Sequence, residues 1–183
     1  MSKFQTVSKF LSLVLRHRPQ TIGLTLDENG WADVNDLLKK ANVDIATLEF
    51  VVATNDKKRF AFNEDKTKIR ASQGHSIKVD LKLEPVSPPP FLFHGTQADK
   101  IDTIKNSGRL CKMKRRYVHL SQDISTAIGV ATRRAKNIAV IIVDSKKMTD
   151  NGCLFYLSEN GVWLTDSVPS AYFYEIVYSK ERE

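Results

Sequence analysis

Cysteine and long apolar runs are both scarce in this chain of 183 residues. The two cysteines, Cys111 and Cys153, lie far apart, and together with the four histidines they show no zinc-ligand spacing, so we expect neither a metal site nor a disulfide. No apolar stretch approaches the roughly 20 residues that a membrane helix needs. The N-terminus lacks a basic and then apolar leader, which favours a cytoplasmic protein without a membrane anchor.

Two common nucleotide-binding signatures are missing as well. The chain contains neither a P-loop nor the GxGxxG turn of a Rossmann nicotinamide site, so any use of NAD would need another fold. Acidic residues are too few to balance the basic ones, which gives a net charge of +7 and a pI of about 9.4. A polyanionic partner is therefore favoured, and nucleic acid is the commonest one.

Much of the positive charge lies in one short stretch, 109–116, which we call the basic segment. It contains no acid and five cations: Arg109, Lys112, Lys114, Arg115 and Arg116. A solvated surface loop and a contact with a nucleic-acid backbone both fit this pattern.

Proline density divides the chain into two predicted lobes. Four prolines fall between Glu84 and Pro90, and this density favours an extended, semi-rigid connector over a helix. We therefore predict a first lobe at 1–82, a linker at 83–90 and a second lobe at 91–183.

The first lobe is predicted to contain three helices followed by a hairpin. The first helix carries apolar residues at helical spacing and is stopped by Pro19. A second helix begins near Val34, and a third begins after Asp44, a plausible N-cap. The alternating segments 59–62 and 67–71 predict the hairpin. Three helices and a hairpin indicate a winged-helix-like lobe, an architecture often used to bind nucleic acid.

The second lobe is richer in strands, so the whole chain is predicted to be α+β. Strands are expected at 91–94, 117–120, 138–143 and 172–177. Helices are expected at 97–107 and 123–136.

Two histidines of the second lobe stand at strand ends beside hydroxyl residues. His94 is followed by Gly95, which permits close backbone approach, and by Thr96, which can cap a helix or bond a ligand. His119 is followed closely by Ser121. A shared ligand cleft explains this arrangement, and so does a pair of ordinary buried, hydrogen-bonded histidines.

Arginines also stand at the ends of predicted elements. Arg16 and Arg18 flank His17 at the end of the first helix, where cations complement the helix dipole or form half of an anion site. Arg70 ends a strand just before a small-residue turn. Arg133 and Arg134 come late in a predicted helix, where a dipole role is the simpler interpretation.

Taken in order, these segments resemble the NAD-dependent RNA 2'-phosphotransferases over nearly the whole chain. The matching motifs are Leu15-Arg16-His17, Gly30-Trp31, Ile69-Arg70-Ala71-Ser72-Gln73-Gly74-His75-Ser76, Leu92-Phe93-His94-Gly95-Thr96, Val118-His119-Leu120-Ser121 and Asn160-Gly161-Val162-Trp163-Leu164-Thr165. The resemblance implies a winged-helix lobe joined to an ADP-ribosyltransferase-like lobe. It also implies a substrate RNA, such as a tRNA-like RNA from splicing, that bears an internal 2'-phosphate, and no protein partner.

The implied reaction has two steps and consumes NAD as a co-substrate. The RNA 2'-phosphate attacks C1'' of the nicotinamide ribose and expels nicotinamide, which gives an RNA-2'-phospho-ADP-ribose intermediate. The ribose 2''-hydroxyl then attacks the phosphorus. The products are RNA with a free 2'-hydroxyl and ADP-ribose 1'',2''-cyclic phosphate.

The resemblance also assigns site residues. The catalytic set matches Arg16, His17, Arg70 and Arg133. The NAD-binding positions match His94, Gly95, Thr96, His119, Ser121, Ser76 and Val162. Val162 stands where toxin-type mono-ADP-ribosyltransferases carry a catalytic glutamate, and an attacking phosphate, already an anion, needs no such base.

One departure and two alternatives stay open. The family pattern Val-Gly-x-Arg-x-Gly is here 130–135 with alanine at both glycine positions, so Arg134 competes with Arg133 for the last catalytic role. Arg18 has no motif match and is expected to be a plain helix-end cation. The alternative functions are ADP-ribosylation of a terminal nucleic-acid phosphate and non-catalytic nucleic-acid binding by the winged helix.

Overall fold

The computed structural model describes residues 3–55, 57–133 and 135–179, which fold into two compact units. Unit 1 is Met1–Leu83 and unit 2 is Glu84–Glu183. Both contain helices and antiparallel strands, so the fold class is α+β, as the sequence predicts. None of the described helices is long and apolar enough to cross a membrane.

Unit 1 contains the three helices that the sequence predicts. They are α1 (Lys3–Arg16), α2 (Val34–Ala41) and α3 (Ile45–Ala53). Helix α1 ends before Pro19, which starts a short 3-10 helix because its fixed φ suits a first helical position. Asp44 caps α3 as expected, since its carboxylate accepts a hydrogen bond from the Thr47 N–H at 2.7 Å.

The predicted hairpin of unit 1 is confirmed and gains a third strand. The strands are β1 (Ala32–Asp33), β2 (Phe60–Phe62) and β3 (Lys68–Ala71), and β3 lies between the other two, antiparallel to both. The two-residue β1 is too short to show an alternating pattern, so the sequence does not reveal it. Fully buried Leu11, Leu15 and Ile69 join the helices to this sheet in one core.

The described part of unit 2 contains eight strands in three small antiparallel sheets. The strands are β4 (Phe91–Gln97), β5 (Arg109–Cys111), β6 (Val118–Leu120), β7 (Ile138–Asp144), β8 (Tyr156–Leu157), β9 (Trp163–Thr165), β10 (Ser167–Pro169) and β11 (Phe173–Tyr178). The sheet orders are β11-β7-β4, β6-β9-β8 and β10-β5. The helices are α4 (Ile101–Asn106), α5 (Ile124–Ala131) and α6 (Ser145–Asp150). Each of the four predicted strands is present, whereas β5, β8, β9, β10 and α6 were not predicted.

Two predicted boundaries in unit 2 are wrong. Strand β4 continues to Gln97, so Thr96 lies inside a strand and does not cap a helix. Helix α5 ends at Ala131, five residues before the predicted end, and Arg133 lies in the turn beyond it. Ala131 is the last buried residue of α5, and a helix continues mainly where it has an apolar face to pack. The basic residues after it offer no such face.

The proline-rich stretch, residues 84–90, is hydrogen-bonded to the rest of unit 2. The Val86 N–H donates to the Phe155 carbonyl at 2.8 Å, and the Ser145 hydroxyl donates to the Pro89 carbonyl at 2.6 Å. Because prolines cannot donate, their neighbours and their carbonyls make these bonds. The stretch contains no helix.

Candidate active site

The end of α1 is tied to the turn that follows β3. The Ser76 N–H donates to the Arg16 carbonyl at 3.0 Å, and Nδ1 of His17 lies 2.9 Å from the Ser76 hydroxyl oxygen. These two bonds fix the direction in which His17 leaves the helix. Three residues from two distant parts of the sequence, Arg16, His17 and Ser76, therefore form one cluster.

The Arg16 guanidinium is held by backbone and by an aromatic ring. Its Nη2 donates to the Arg59 carbonyl at 3.2 Å, and its Cζ lies 5.9 Å from the centre of the Phe60 ring. Gly74 has a φ of +85° and packs against it, since a Cβ there would lie 3.6 Å from Nη1 of Arg16. That left-handed conformation is easy for glycine, and it turns the chain back towards α1.

Arg70 reaches the same region from β3. Its Cζ lies 4.4 Å from the centre of the Trp31 ring, a cation–π contact that orients a guanidinium plane. Trp31 immediately precedes β1, and β1 pairs with β3. The sheet register therefore sets where this arginine lies.

His75 occupies the middle of this cluster and is only 4% exposed. Burial first, and then the nearby positive charges of Arg16, His17 and Arg70, together lower its pKa from the ordinary 6.5 to about 4. The ring is therefore neutral at neutral pH. The charges that lower this pKa belong to the three unit 1 residues of the predicted catalytic set.

His75 was missed as a site residue by the sequence analysis. Its only signal was its place in the small-residue turn after Arg70, and such a turn is more often a surface feature. Its Nε2 is buried and has no hydrogen-bond partner in the described part of the chain. A Cβ on Gly30 would lie 3.4 Å from that nitrogen, so Gly30 leaves room for the ring.

The predicted NAD residues His94 and Ser121 are held by hydrogen bonds between β4 and the segment that contains β6. Nδ1 of His94 lies 3.0 Å from the His119 carbonyl oxygen. A carbonyl only accepts, so Nδ1 carries the proton, and in the neutral ring Nε2 is left as an acceptor. Phe93 and Ser121 exchange two backbone hydrogen bonds, of 2.9 and 2.8 Å, which place Ser121 beside the same strand.

Gly95 has a packing role that the sequence did not reveal. A Cβ there would lie 1.9 Å from the Ala127 carbonyl oxygen and 3.2 Å from Cβ of Ala131. The close backbone approach that was predicted at Gly95 is thus made by α5. Because side chains alternate along a strand, His94 and Thr96 project from the opposite face of β4.

The basic segment is only partly a loop. Arg109 belongs to β5, Lys112 forms an ion pair with Asp166, and Cζ of Arg116 lies 5.7 Å from the Tyr117 ring centre. Nη1 of Arg115 lies 3.3 Å from Nδ1 of His119, so an arginine of this segment contacts a predicted NAD residue.

The remaining predicted site residues lie in turns of unit 2. Arg133 is exposed and follows, by two residues, the point at which α5 packs on Gly95. Val162 closes a turn in which its N–H donates to the Ser158 hydroxyl at 3.1 Å. Arg134 lies outside the described residues, so the choice between the two arginines stays a prediction.

Comparison with known proteins identifies the family. Residues 2–167 match the family described as "RNA 2'-phosphotransferase, Tpt1 / KptA family". The chain belongs to this family. A protein of Flavobacterium johnsoniae named "Probable RNA 2'-phosphotransferase" is 54% identical over 173 residues, which cover 92% of this chain and 94% of the relative. Similarly named proteins of Agrobacterium fabrum and Fusobacterium nucleatum are 55% and 50% identical, over 90% and 91% of this chain and 90% and 95% of their own lengths. The resemblance drawn from the motifs is confirmed.

Proposed function

We propose that this protein removes an internal 2'-phosphate from RNA by transferring it to NAD. The first step joins the 2'-phosphate to C1'' of the nicotinamide ribose and releases nicotinamide. In the second step the ribose 2''-hydroxyl attacks the phosphorus and frees the RNA 2'-hydroxyl. The co-product is ADP-ribose 1'',2''-cyclic phosphate, and the RNA-2'-phospho-ADP-ribose species lies between the two steps.

The observation that carries this proposal is the group of cations around His75 in unit 1. A 2'-phosphate monoester carries close to two negative charges, and guanidinium groups bind phosphate oxygens in a bidentate way. Arg16 and Arg70 are both oriented by aromatic or backbone contacts before any ligand arrives. Such fixed cations stabilise the charge that spreads over the phosphoryl oxygens during transfer.

His17 is suited to act on the leaving oxygen of the second step. Its side chain is exposed, and Nδ1 is engaged with Ser76, so Nε2 is the atom that would meet a phosphate or donate a proton to the departing 2'-oxygen. Neutral His75 differs from it, since burial keeps it out of proton exchange near pH 7. We propose that His75 positions the two arginines.

Unit 2 offers donors and acceptors that fit NAD. Nε2 of His94 is an acceptor in the neutral ring, and the hydroxyls of Thr96 and Ser121 can each donate and accept. Amide and ribose groups of NAD require this kind of mixed partner. We assign NAD to these residues and to His119 and Val162, with Gly95 contributing through the packing of α5. The NAD role of Ser76, which belongs to unit 1, stays a prediction.

The same proposal includes the architecture of each unit, the last catalytic arginine, the substrate RNA and the cellular location. Unit 1 would be the winged-helix-like lobe and unit 2 the ADP-ribosyltransferase-like lobe, with Arg133 as the last catalytic arginine. The substrate would be a tRNA-like RNA in the cytoplasm. Three helices and a three-stranded antiparallel sheet, in the order α1-β1-α2-α3-β2-β3, support the winged-helix assignment.

The test is a reaction with NAD and an RNA that carries one internal 2'-phosphate. We expect NAD-dependent loss of the phosphate and appearance of the cyclic phosphate product. Mass spectrometry would detect both. A second arm offers RNA with only a terminal phosphate. ADP-ribosylation of that end without loss of an internal 2'-phosphate would replace the proposal with the terminal-phosphate activity, and no reaction in either arm would contradict both.

A further inference from the structure

A groove in unit 1 leads away from Arg16 along helix α1. It has a volume of about 750 Å³ and lies between the first three turns of α1 and the end of α3. The residues that line it are Phe4, Gln5, Ser8, Lys9, Ser12, Phe50, Val51, Thr54, Asn55, Lys57 and Arg59. The proposed 2'-phosphotransferase chemistry assigns no role to this groove.

The groove is continuous with the proposed phosphate site. Phe4, Ser8 and Ser12 are spaced four residues apart on α1, and Arg16 is the next position in that series, so the four follow one inclined ridge of the helix surface. At a rise of 1.5 Å per residue this ridge spans about 18 Å along the helix axis. Arg59 lines the groove near Arg16, and its carbonyl accepts the hydrogen bond from Arg16.

Its charge favours a polyanion. Three cations line the groove, Lys9, Lys57 and Arg59, and none of the described lining residues is acidic. Glu49, which precedes the lining residue Phe50, is paired with Lys66 at 2.8 Å, and Asp56 lies outside the described residues. Lys9 and Lys57 are exposed, and exposed cations of this kind exchange their counterions for a phosphate backbone.

Its far end presents an aromatic surface. The rings of Phe4 and Phe50 lie 4.3 Å apart between centroids, and the two residues remain 39% and 46% exposed. Aromatic rings beside a basic groove are the usual way in which proteins bind single-stranded nucleic acid, since every base has a face that can stack.

The floor of the groove is buried and hydrogen-bonded. Val51 is 3% exposed, and Nδ2 of Asn55, two residues after α3, donates to the Ser8 hydroxyl oxygen of α1 at 3.2 Å. The Ser12 hydroxyl donates to the Ser8 carbonyl at 2.9 Å. A groove with a hydrogen-bonded floor and a positive rim is already shaped before a ligand binds, and this lowers the cost of binding.

We propose that this groove holds the RNA strand that flanks the 2'-phosphate, with a base against Phe4 and Phe50 and backbone phosphates near Lys9 and Lys57. The inference rests on the proposed function only for the identity of the group at Arg16. It predicts that the protein contacts nucleotides of the RNA beyond the one that bears the 2'-phosphate. RNA that reaches along the groove should bind more tightly than RNA that ends at the 2'-phosphate.

The experiment measures binding in the absence of NAD, by fluorescence anisotropy. The probes are a dinucleotide with a 2'-phosphate at its junction and the same unit extended by several nucleotides on the 5' or on the 3' side. We expect one extension to tighten binding, and Phe50→Leu to reduce the affinity of that longer RNA about fivefold. Phe50→Trp keeps an aromatic face and should retain the affinity, which separates stacking from a general loss of apolar contact.

The charge component has its own matched pair of variants. Lys9→Gln with Lys57→Gln should lower the slope of log affinity against log salt by roughly 1.4, because two phosphate contacts are lost. Lys39→Gln with Lys105→Gln removes the same charge away from the groove and should leave the slope unchanged. Thermal melts of each variant would check that the fold is intact.

Two outcomes overturn the groove assignment. One is an equal affinity for short and extended RNA, and the other is an extension benefit that the groove variants leave intact. Failure of the proposed function looks different: the extended RNA would bind through the groove, but a 2'-phosphate would add nothing over a 2'-hydroxyl.

Discussion

The two units organise their predicted site residues in different ways. In unit 1, Arg16 and His17 at the end of α1 and Arg70 on β3 all act on one buried ring, His75. In unit 2, His94, Thr96 and Ser121 are spread along paired strands, and their neighbour Gly95 serves the packing of a helix. Apart from Arg133, the charged members of the predicted site therefore lie in unit 1, whereas the predicted NAD residues of unit 2 are neutral polar groups on or beside paired strands.

This difference matches the two ligands of the proposed reaction. A phosphate dianion needs concentrated positive charge, and guanidinium forks supply it. A large dinucleotide needs many modest contacts placed over a wide surface, and a strand with alternating side chains supplies those. The comparison also separates what substitutions should do: unit 1 variants should change charge recognition, and unit 2 variants should change packing.

Loss of a unit 1 arginine should have the largest effect. Arg16→Ala or Arg70→Ala should lower the rate of 2'-phosphate removal about a thousandfold, roughly 4 kcal/mol of transition-state stabilisation. The second step should suffer most, since the phosphoryl charge develops there, so the RNA-linked ADP-ribose intermediate should accumulate. Quenched time courses resolved on gels would show it.

Arg18→Ala is the matched control, because it removes the same charge two residues further along. Arg18 has no motif match, so its variant should keep nearly full activity. A comparable loss in Arg18→Ala would mean that overall charge matters and that the cluster around His75 does not.

Substitution of Gly95 should have the next largest effect, on stability. Gly95→Ala places a Cβ 1.9 Å from the Ala127 carbonyl oxygen, so α5 must move, and we expect a loss of about 3 kcal/mol in the free energy of unfolding. Gly129→Ala, in the same helix, meets nothing within 4 Å and should stabilise by about 0.5–1 kcal/mol. Denaturant unfolding would measure both. If Gly95→Ala changed the free energy of unfolding as little as Gly129→Ala does, the packing role assigned to Gly95 would be wrong.

Protonation of His75 should make stability depend on pH. Its pKa is about 4 in the folded protein against an ordinary 6.5, so the unfolded chain binds a proton that the folded chain does not. Its contribution is fully present above pH 6.5 and is lost as the pH falls towards 4, by roughly 3 kcal/mol. The His75→Gln variant should lack this component. The free energy of unfolding of the parent should therefore fall relative to that of the variant as the pH falls from 6.5 towards 4. If the free energies of unfolding of the two proteins ran parallel from pH 7 to pH 4, the pKa of His75 would not be lowered in the folded protein.

Removal of the two matching helix caps should have the smallest effect. Asp44 begins α3 and Asp123 begins α5 with the same arrangement, a carboxylate that accepts from the N–H and the hydroxyl of the threonine three residues later. Hydrogen bonds lower the pKa of both carboxyls, those from Thr47 at Asp44 and those from Ser125 and then Thr126 at Asp123. Asp44→Ala and Asp123→Ala should each lower the melting temperature by a few degrees at neutral pH. The losses should be similar, and a much larger one for Asp123 would point to a function beyond capping.

The sequence predicts those parts of the fold that depend on local patterns. The helices of unit 1 carry apolar residues at helical spacing, and Asp44 is a recognisable cap, so both were predicted correctly. Strand β9 (Trp163–Thr165) is buried at every position and has no alternation, and β5 lies in a stretch that looks like a charged loop. Their pairing is decided by partners far along the chain, and local patterns do not contain that information.

The candidate site shows the same limit. The motifs pointed to Arg16, Arg70 and His94, but neither spacing nor composition indicated that His75 is buried among the arginines. Gly95 was correctly singled out for close approach, yet which group approaches depends on where α5 packs. The end of α5 was misplaced because its last residues are acceptable in a helix and lack only a surface to pack against.

The most direct measurement compares RNA with a 2'-phosphate and the same RNA with a 2'-hydroxyl, bound to the protein in the absence of NAD. If the unit 1 cluster holds the phosphate, the parent protein should prefer the 2'-phosphate by about a hundredfold. Arg16→Ala and Arg70→Ala should each remove most of this preference, and Arg18→Ala should keep it. A preference that survives the loss of both arginines would contradict the assignment of the 2'-phosphate to the cluster around His75.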